Sequence, residues 1–170
     1  MLNDPRKWYA LWTHSNCEQM VHDHLAPRGF QVFFPRVQIW KRRGGSRKLI
    51  SAPMFPGYLF LRQAMDKTSC VEVLKSKGLV RILGERWDRP VSIPDDQIDV
   101  VRRAADSGLP VLAYPYLHEG QRIRILRGPL AGVEGILVMS DPHKGLLVLS
   151  VELLRTSVAV EIDCTLVAAA

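Results

Sequence analysis

Side chains capable of chemistry are few in this chain and poorly arranged for catalysis. His14, His22 and His24 lie near Cys17, so a zinc site has to be considered. On a helix, however, His22 and His24 are two apart and point to different sides, and no known ligand spacing fits. No metal is therefore expected. The cysteines, Cys17, Cys70 and Cys164, are odd in number, far apart and free of any C-x-x-C pattern. That usage suits a reduced, cytoplasmic setting. No nucleophile–base arrangement, phosphate loop or carboxylate pair is present, so neither an enzyme nor a cofactor is expected. Two other groups suit binding. Lys41-Arg42-Arg43-Gly44-Gly45-Ser46-Arg47-Lys48 holds five basic residues in eight, and Tyr58 and Phe60 sit at alternating positions of an apolar run. The basic run reads either as a solvated hairpin tip or as a contact to nucleic-acid phosphates. The aromatics share one face of a strand; by residue type alone that face is ordinary core.

The elements that must position these groups can be read from periodicity and punctuation. Trp8–His14 predicts a strand. Ser15-Asn16-Cys17-Glu18 reads as a capping box. The helix after it runs to about Arg28, with Cys17, Met20, Val21 and Leu25 on one face. Phe30–Pro35 and Val37–Trp40 predict strand, the basic run a loop or hairpin tip, Leu49–Ala52 its return, and Met54–Arg62 the aromatic strand. Phe33 and Phe34 are adjacent, so one must face the core and the other away. Asp66–Lys77 predicts a second helix with Val71 and Leu74 inward, stopped by Gly78; Ser69 reads as its N-cap. Leu79–Leu83 predicts another strand. Pro94-Asp95-Asp96 starts a third helix that ends near Asp106. The order β-α-β-β-α-β suggests a ferredoxin-like antiparallel sheet with helices on one face. Residues 107–117 shift to Ser, Gly, Pro and Tyr and read as a linker. Arg122–Leu126, Val133–Ser140, Leu146–Glu152 and Ser157–Ile162 are short β segments separated by Gly and Pro turns, the pattern of a small barrel. The fold class is thus α+β followed by a small all-β domain.

Charge divides with the domains. The chain has 170 residues and net charge +6. Residues 118–170 carry five basic and six acidic side chains, so the positive balance lies wholly in residues 1–117. A basic first part and a near-neutral barrel suggest nucleic acid near the first and protein near the second. No apolar run approaches the ~20 residues of a membrane helix. The polar opening, Met1–Lys7, does not read as a signal peptide, so none is expected.

Five motifs stand in register along the chain: Trp8-Tyr9, the strand Phe55-Pro56-Gly57-Tyr58-Leu59-Phe60, the Gly78-Leu79-Val80 turn, the Pro90…Asp95-Asp96-Gln97-Ile98 helix start and the turn Gly128-Pro129-Leu130-Ala131-Gly132-Val133-Glu134-Gly135. Together they resemble the NusG family of transcription elongation factors. The last resembles the KOW motif. The resemblance runs from Trp8 to about Val167. It implies a NusG N-terminal domain over 1–106, a linker over 107–117 and an SH3-like KOW barrel over 118–170. It also implies an elongation or antitermination factor, a monomer without membrane contact. In the family, matching strands receive the clamp helices of RNA polymerase's largest subunit. That assigns Trp12, Phe33, Phe34, Tyr58 and Phe60 to the polymerase-binding patch, and Ser69 and Cys70, by spacing, to the edge facing the polymerase gate loop. It assigns Lys41, Arg42, Arg43, Arg47 and Lys48 to upstream or nontemplate DNA. Matching to the sequence-specific paralogue RfaH adds His14, His24 and Lys77 to nontemplate-strand contacts. Leu153 and Leu154 stand where the family barrel meets Rho or the ribosomal protein NusE, but the Phe and Gly of that motif are replaced by Leu154 and Arg155. This departure points toward a specialised paralogue. The barrel form, not the helical hairpin of RfaH, is expected, because Gly128, Gly132, Gly135, Pro142 and Gly145 would interrupt a helix. An RNA-binding KOW protein of the ribosome or its assembly is the alternative; it would concentrate basic residues on the barrel, contrary to the charge division.

Overall fold

The computed structural model describes residues 4–170; the expectation about the polar opening segment falls partly on residues 1–3, which lie outside them. In chain order the elements are β1 Lys7–Thr13, α1 Glu18–Leu25, β2 Gln31–Phe33, β3 Arg36–Arg43, β4 Ser46–Pro53, β5 Tyr58–Gln63, α2 Lys67–Leu74, β6 Leu79–Ile82, β7 Gly84–Arg86, β8 Arg89–Pro90, α3 Asp95–Asp106, β9 Val111–Tyr114, β10 Gln121–Ile125, β11 Glu134–Met139, β12 Lys144–Val151, β13 Thr156–Asp163 and β14 Val167–Ala169. They divide into two compact units. One holds the residues up to Pro35 and Phe55–Ile98, the other Arg36–Met54 and Asp99–Ala170. The cut falls inside α3, and the hairpin β3–β4 groups with the second unit.

The first unit is an antiparallel sheet in the order β2-β5-β1-β6. With α1 after β1 and α2 after β5, this is the ferredoxin-like arrangement. Strand alternation decides the core. Tyr9 and Leu11 of β1, Leu59 and Leu61 of β5 and Ile82 of β6 pack with Val21 and Leu25 of α1 and Cys70 and Val73 of α2. Phe34 packs against this same cluster, so Phe34 is the core-facing member of its pair. Two helix faces differ from expectation. Val71 is 40% exposed and Met20 45% exposed; the inward positions of α2 are Cys70, Val73 and Leu74, the i, i+3, i+4 set of a single face.

The start of α1 also differs. Asn16 takes a left-handed conformation at φ 59°, so the chain turns sharply and the helix begins only at Glu18, behind Cys17 as an N-cap without a side-chain hydrogen bond. A capping box needs its Glu at N3; Glu18 stands at N1. Its carboxylate turns inward instead, with the residue only 6% exposed, and accepts the Gly57 amide at 2.8 Å. Likewise α2 is capped by Asp66, whose carboxylate accepts the Ser69 amide at 2.7 Å. Ser69 is therefore the N3 donor and not the cap, and this hydrogen bond holds the Asp66 carboxyl below its ordinary pKa. The helix ends at Leu74, short of the expected Lys77.

In the second unit, β3 and β4 form a regular hairpin closed by Gly44 and Gly45, at φ 58° and 81°. Two consecutive left-handed residues make the type I′ turn that matches strand twist. The C-terminal strands form one antiparallel sheet in the order β14-β10-β11-β12-β13-β9. After β13 a 3-10 turn at Cys164–Leu166 brings β14 back onto β10. The sheet curls on itself as an SH3-like barrel, with Leu147, Val148, Leu149 and Val160 all buried. Burial on both faces of β12 has a local cause. The stretch read as a linker contains β9, which pairs with β13, and Tyr114 and Leu117 pack on Ile136, Val148 and Ala159. Ser150 and Ser157 fasten it: Ser150 Oγ donates to the Leu117 carbonyl at 2.6 Å, and the Leu117 amide donates to Ser157 Oγ at 3.0 Å.

Two stability predictions follow from local geometry. Arg155 caps a 3-10 turn at φ 46°, ψ 45°, a conformation that costs a side-chain-bearing residue roughly 1–2 kcal/mol. Arg155→Gly should raise stability in urea unfolding by about 0.5–1 kcal/mol after the extra unfolded-state entropy of glycine is subtracted, whereas Arg155→Ala should change little; equal stabilities of the two variants would contradict the strain. Glu18→Ala should cost about 1–3 kcal/mol, because it orphans the Gly57 amide. Glu18→Gln keeps an acceptor oxygen and should recover most of that loss. If Gln unfolds as readily as Ala, the hydrogen bond is not what the site needs.

Candidate binding surfaces

Of the aromatic candidates, Trp12, Phe33, Tyr58 and Phe60 lie on the sheet face opposite the helices, and Phe34 does not. Register places Trp12 directly across from Tyr58, and Ala10 and Phe33 on either side of Phe60. Trp8, Phe33, Phe55 and Phe60 form a chain of rings: Phe33 stands 6.2 Å from Trp8 and 6.0 Å from Phe60, and Phe55 meets Phe60 edge-to-face at 6.0 Å. Burial is graded along this face. Phe60 and Trp8 are buried, Phe33 and Tyr58 are half-buried, and Trp12 is 42% exposed. The accessible surface is therefore Trp12 with Tyr58 and an edge of Phe33. Phe60 leaves the candidate patch because its ring is enclosed by its neighbours, and Phe34 leaves it because it packs on the helix side.

The Pro56–Gly57 turn shapes the accessible end. Gly57 stands at φ 88°, and a Cβ added there would lie 3.8 Å from the Trp12 indole. Its carbonyl accepts the Thr13 amide at 2.8 Å while its own amide goes to Glu18. The Tyr58 amide donates to the Phe55 carbonyl at 3.0 Å. Both backbone polar groups of Gly57 are thus engaged, and the indole lies against the turn at van der Waals distance. Glu18 is the residue that sequence reasoning missed here. Its spacing fitted a cap, and nothing local pointed to a partner 39 positions away.

Ser69 and Cys70 separate. Ser69 is half-buried at the start of α2, but Cys70 is 1% exposed within the core. Burial pushes its thiol pKa up. Cys70 is accordingly a packing residue. His14 and Lys77 come together: the His14 amide donates to the Gly78 carbonyl at 2.8 Å, and both side chains are exposed. His24 is half-buried further along α1, roughly 9 Å of helix rise from Glu18. Among the described residues no group of three His, Cys, Asp or Glu side chains converges as metal ligands would.

The basic run is the distal end of the β3–β4 hairpin. Lys41 faces Lys48 and Arg42 faces Arg47 across the ladder. Like charges directly opposite destabilise a strand pair. Residues 36–53 contain no Asp or Glu, and among the described residues no salt bridge involves Lys41, Arg42, Arg43, Arg47 or Lys48. All five side chains are exposed. The tip is a concentrated cationic surface without internal neutralisation, suited to a polyanion.

On the barrel, the glycine-centred turn is built as a tight return. The Gly132 amide donates to the Ile125 carbonyl at 2.7 Å and the Ile125 amide to the Val133 carbonyl at 3.0 Å. Arg124 pairs with Glu134 across β10 and β11, and that contact lowers the Glu134 pKa. The partner candidates divide: Leu154 is buried and Leu153 half-buried. Only Leu153 retains surface to offer.

Among the described residues no helix is long and apolar enough to cross a membrane. A family model for the transcription termination factor NusG matches residues 6–102, more than half of the chain. The chain is 25% identical over 168 residues to the transcription termination/antitermination protein NusG of Yersinia pestis, covering 93% of each. It is 24% identical over 168 residues to the protein of the same name from Pseudomonas aeruginosa, covering 93% of this chain and 95% of that one. A solved structure describing domain interaction in Thermotoga maritima NusG aligns with a TM-score of 0.61 at 18% identity, covering 95% of this chain and 96% of that one, which is a likeness of fold. With the ferredoxin-like sheet, the barrel and the family match in agreement, the chain belongs to the NusG family of transcription termination/antitermination factors.

Proposed function

We propose that this chain is an elongation or antitermination factor that docks on the clamp helices of RNA polymerase's largest subunit through Trp12 and Tyr58, suppresses pausing or termination, and recruits a second protein through its barrel. The observation that carries the docking surface is the placement of Trp12: a large ring, 42% exposed, directly across from Tyr58 at the open end of an otherwise buried aromatic row. Exposed aromatic anchors beside a packed apolar base are the usual form of binding hot spots. Phe33 widens the patch, and half-buried Ser69 is the remaining candidate for the edge across the polymerase cleft. We read the polymerase-facing domain as ending with α3 at Asp106 and the barrel as beginning with β9.

The same reading assigns the hairpin cations to upstream or nontemplate DNA, with exposed His14 and Lys77 at the end of the sheet and His24 along α1 as further contacts to the nontemplate strand. A factor that grips the clamp in its closed position biases it only by binding that state more tightly than the open one. The barrel, held on the same chain, presents its partner at raised effective concentration. NusE or Rho would meet it through Leu153, on a motif that lacks the family's Phe and Gly.

Trp12→Ala and Tyr58→Ala should each weaken binding to core RNA polymerase by about 1–3 kcal/mol, with smaller losses of stability than the ~3–5 kcal/mol of a buried aromatic truncation. Unchanged affinity per folded molecule, alongside a large stability loss, would make them core and end the docking assignment. Replacing Lys41, Arg42, Arg43, Arg47 and Lys48 with Ser or Gln should leave folding intact. It should also make the slope of log affinity against log salt shallower for a DNA-containing elongation complex, because phosphate contacts release counterions. An unchanged slope would reduce the hairpin to a solvated tip.

A further inference from the structure

The hairpin has two unlike faces, and the difference is written in its register. Directly paired residues share a face and successive pairs alternate. Val37–Ala52, Ile39–Ile50 and Lys41–Lys48 lie on one side; Gln38–Ser51, Trp40–Leu49 and Arg42–Arg47 lie on the other. The first side carries buried Val37 and half-buried Ile39 and Ile50. The second carries Trp40 at 44% exposure, with exposed Leu49 beside it and the Arg42–Arg47 pair one step toward the tip. The Arg47 guanidinium carbon stands 5.0 Å from the centroid of the Trp40 ring.

This placement is more specific than a cationic patch requires. Phosphate attraction needs charge but no ring. A tryptophan with an arginine close over its ring, and still 44% exposed, offers a platform for a flat ligand. The only flat groups that accompany a line of phosphates are nucleic-acid bases. In a duplex those faces are covered by neighbouring base pairs, so an indole can stack only on a base that is unpaired. The Arg42–Arg47 opposition adds a second argument. Two guanidinium groups set across a ladder repel in the free protein, and a phosphate between them would relieve the repulsion within one nucleotide of a base lying on Trp40.

We propose that the Trp40 face of the hairpin binds a single nucleic-acid strand, stacking an unpaired base on the indole while Arg42 and Arg47 hold the adjoining phosphate. This rests on the reading of the hairpin as a nucleic-acid contact and adds to it a choice of single strand over duplex.

The test compares the full chain with Trp40→Ala and Trp40→Phe, using short oligodeoxythymidine and a duplex of the same length as probes over a range of salt. Exposure of the ring means folding should be undisturbed, and circular dichroism checks this. The expected result is a roughly tenfold loss of single-strand affinity for Trp40→Ala, substantial rescue by Trp40→Phe, an unchanged salt slope and unchanged duplex affinity. An abasic oligonucleotide should bind wild type and Trp40→Ala alike. Equal losses on single strand and duplex, or no loss on either, would overturn the stacking role. The chain with all five tip cations replaced separates the two ideas. If it loses the salt-dependent part of binding while Trp40→Ala is silent, the hairpin binds phosphates but Trp40 does not stack. If it binds as wild type does, the nucleic-acid reading of the hairpin itself fails, and the inference with it. If Trp40→Ala weakens binding only to polymerase free of nucleic acid, the ring serves a protein partner and the proposal is wrong.

Discussion

A part-buried hydrogen bond from the Gly57 amide to the Glu18 carboxylate ties together the parts of the first unit that carry the proposed docking surface. It joins the first residue of α1 to the turn that enters β5, and through the Gly57 carbonyl that turn is joined to the last residue of β1. Trp12 precedes that residue and Tyr58 follows the turn. Exposed Trp12 and half-buried Tyr58 are therefore both held next to one polar contact, whose loss would leave an amide or carboxylate unpaired at cost. The arrangement also explains why a glycine stands there: the turn holds position 57 at φ 88°, a left-handed conformation that side-chain-bearing residues rarely adopt.

The two proposed binding surfaces would rely on different physics. The aromatic end is apolar, rigid and supported by packed rings, so its contribution to binding would come from desolvation and be insensitive to salt. The hairpin tip is the opposite. Its cations face one another across the ladder and find no acid within the hairpin. Such a strand pair is less stable than its type I′ turn and its Ile39–Ile50 pair would otherwise make it, and a bound polyanion would restore the balance. Surfaces of this kind act at longer range and weaken as salt rises. On the proposed reading, one chain would combine a short-range anchor with a longer-range electrostatic contact.

Much of this was legible in the sequence where a pattern repeats. Alternation in β5 and the adjacent Phe33–Phe34 pair gave faces directly, and the four central barrel strands lie within two residues of where apolar runs and Gly/Pro turns put them. Failures came where a partner was distant or a segment short. Glu18 sits three residues after Ser15, as a capping box would have it, but Asn16 turns the chain and sends the carboxylate to Gly57. Val111–Tyr114 is flanked by Pro110 and Pro115, which reads as linker; only its pairing with β13 and the Ser150–Ser157 hydrogen bonds make it a strand. Val71 and Met20 fall inward by helical spacing with apolar neighbours, yet two-turn helices have room for few buried positions and both stay exposed. Phe60, Cys70 and Leu154 matched family positions, and their burial depends on neighbours that a motif does not record. Trp40 was passed over because it borders the basic run, and its pairing with Leu49 and contact with Arg47 exist only in the folded hairpin.

The central claim is that the Trp12–Tyr58 surface meets RNA polymerase. Site-specific photocrosslinking tests it most directly: a benzophenone side chain placed at position 58 of the full chain, irradiated in a complex with core polymerase, followed by peptide mapping of the adduct. The account predicts a crosslink to the coiled-coil clamp helices of the largest subunit, competed by unlabelled wild-type protein and not by the Trp12→Ala variant at the same concentration. Adducts confined to another subunit, or a crosslink that the wild type fails to compete, would contradict it.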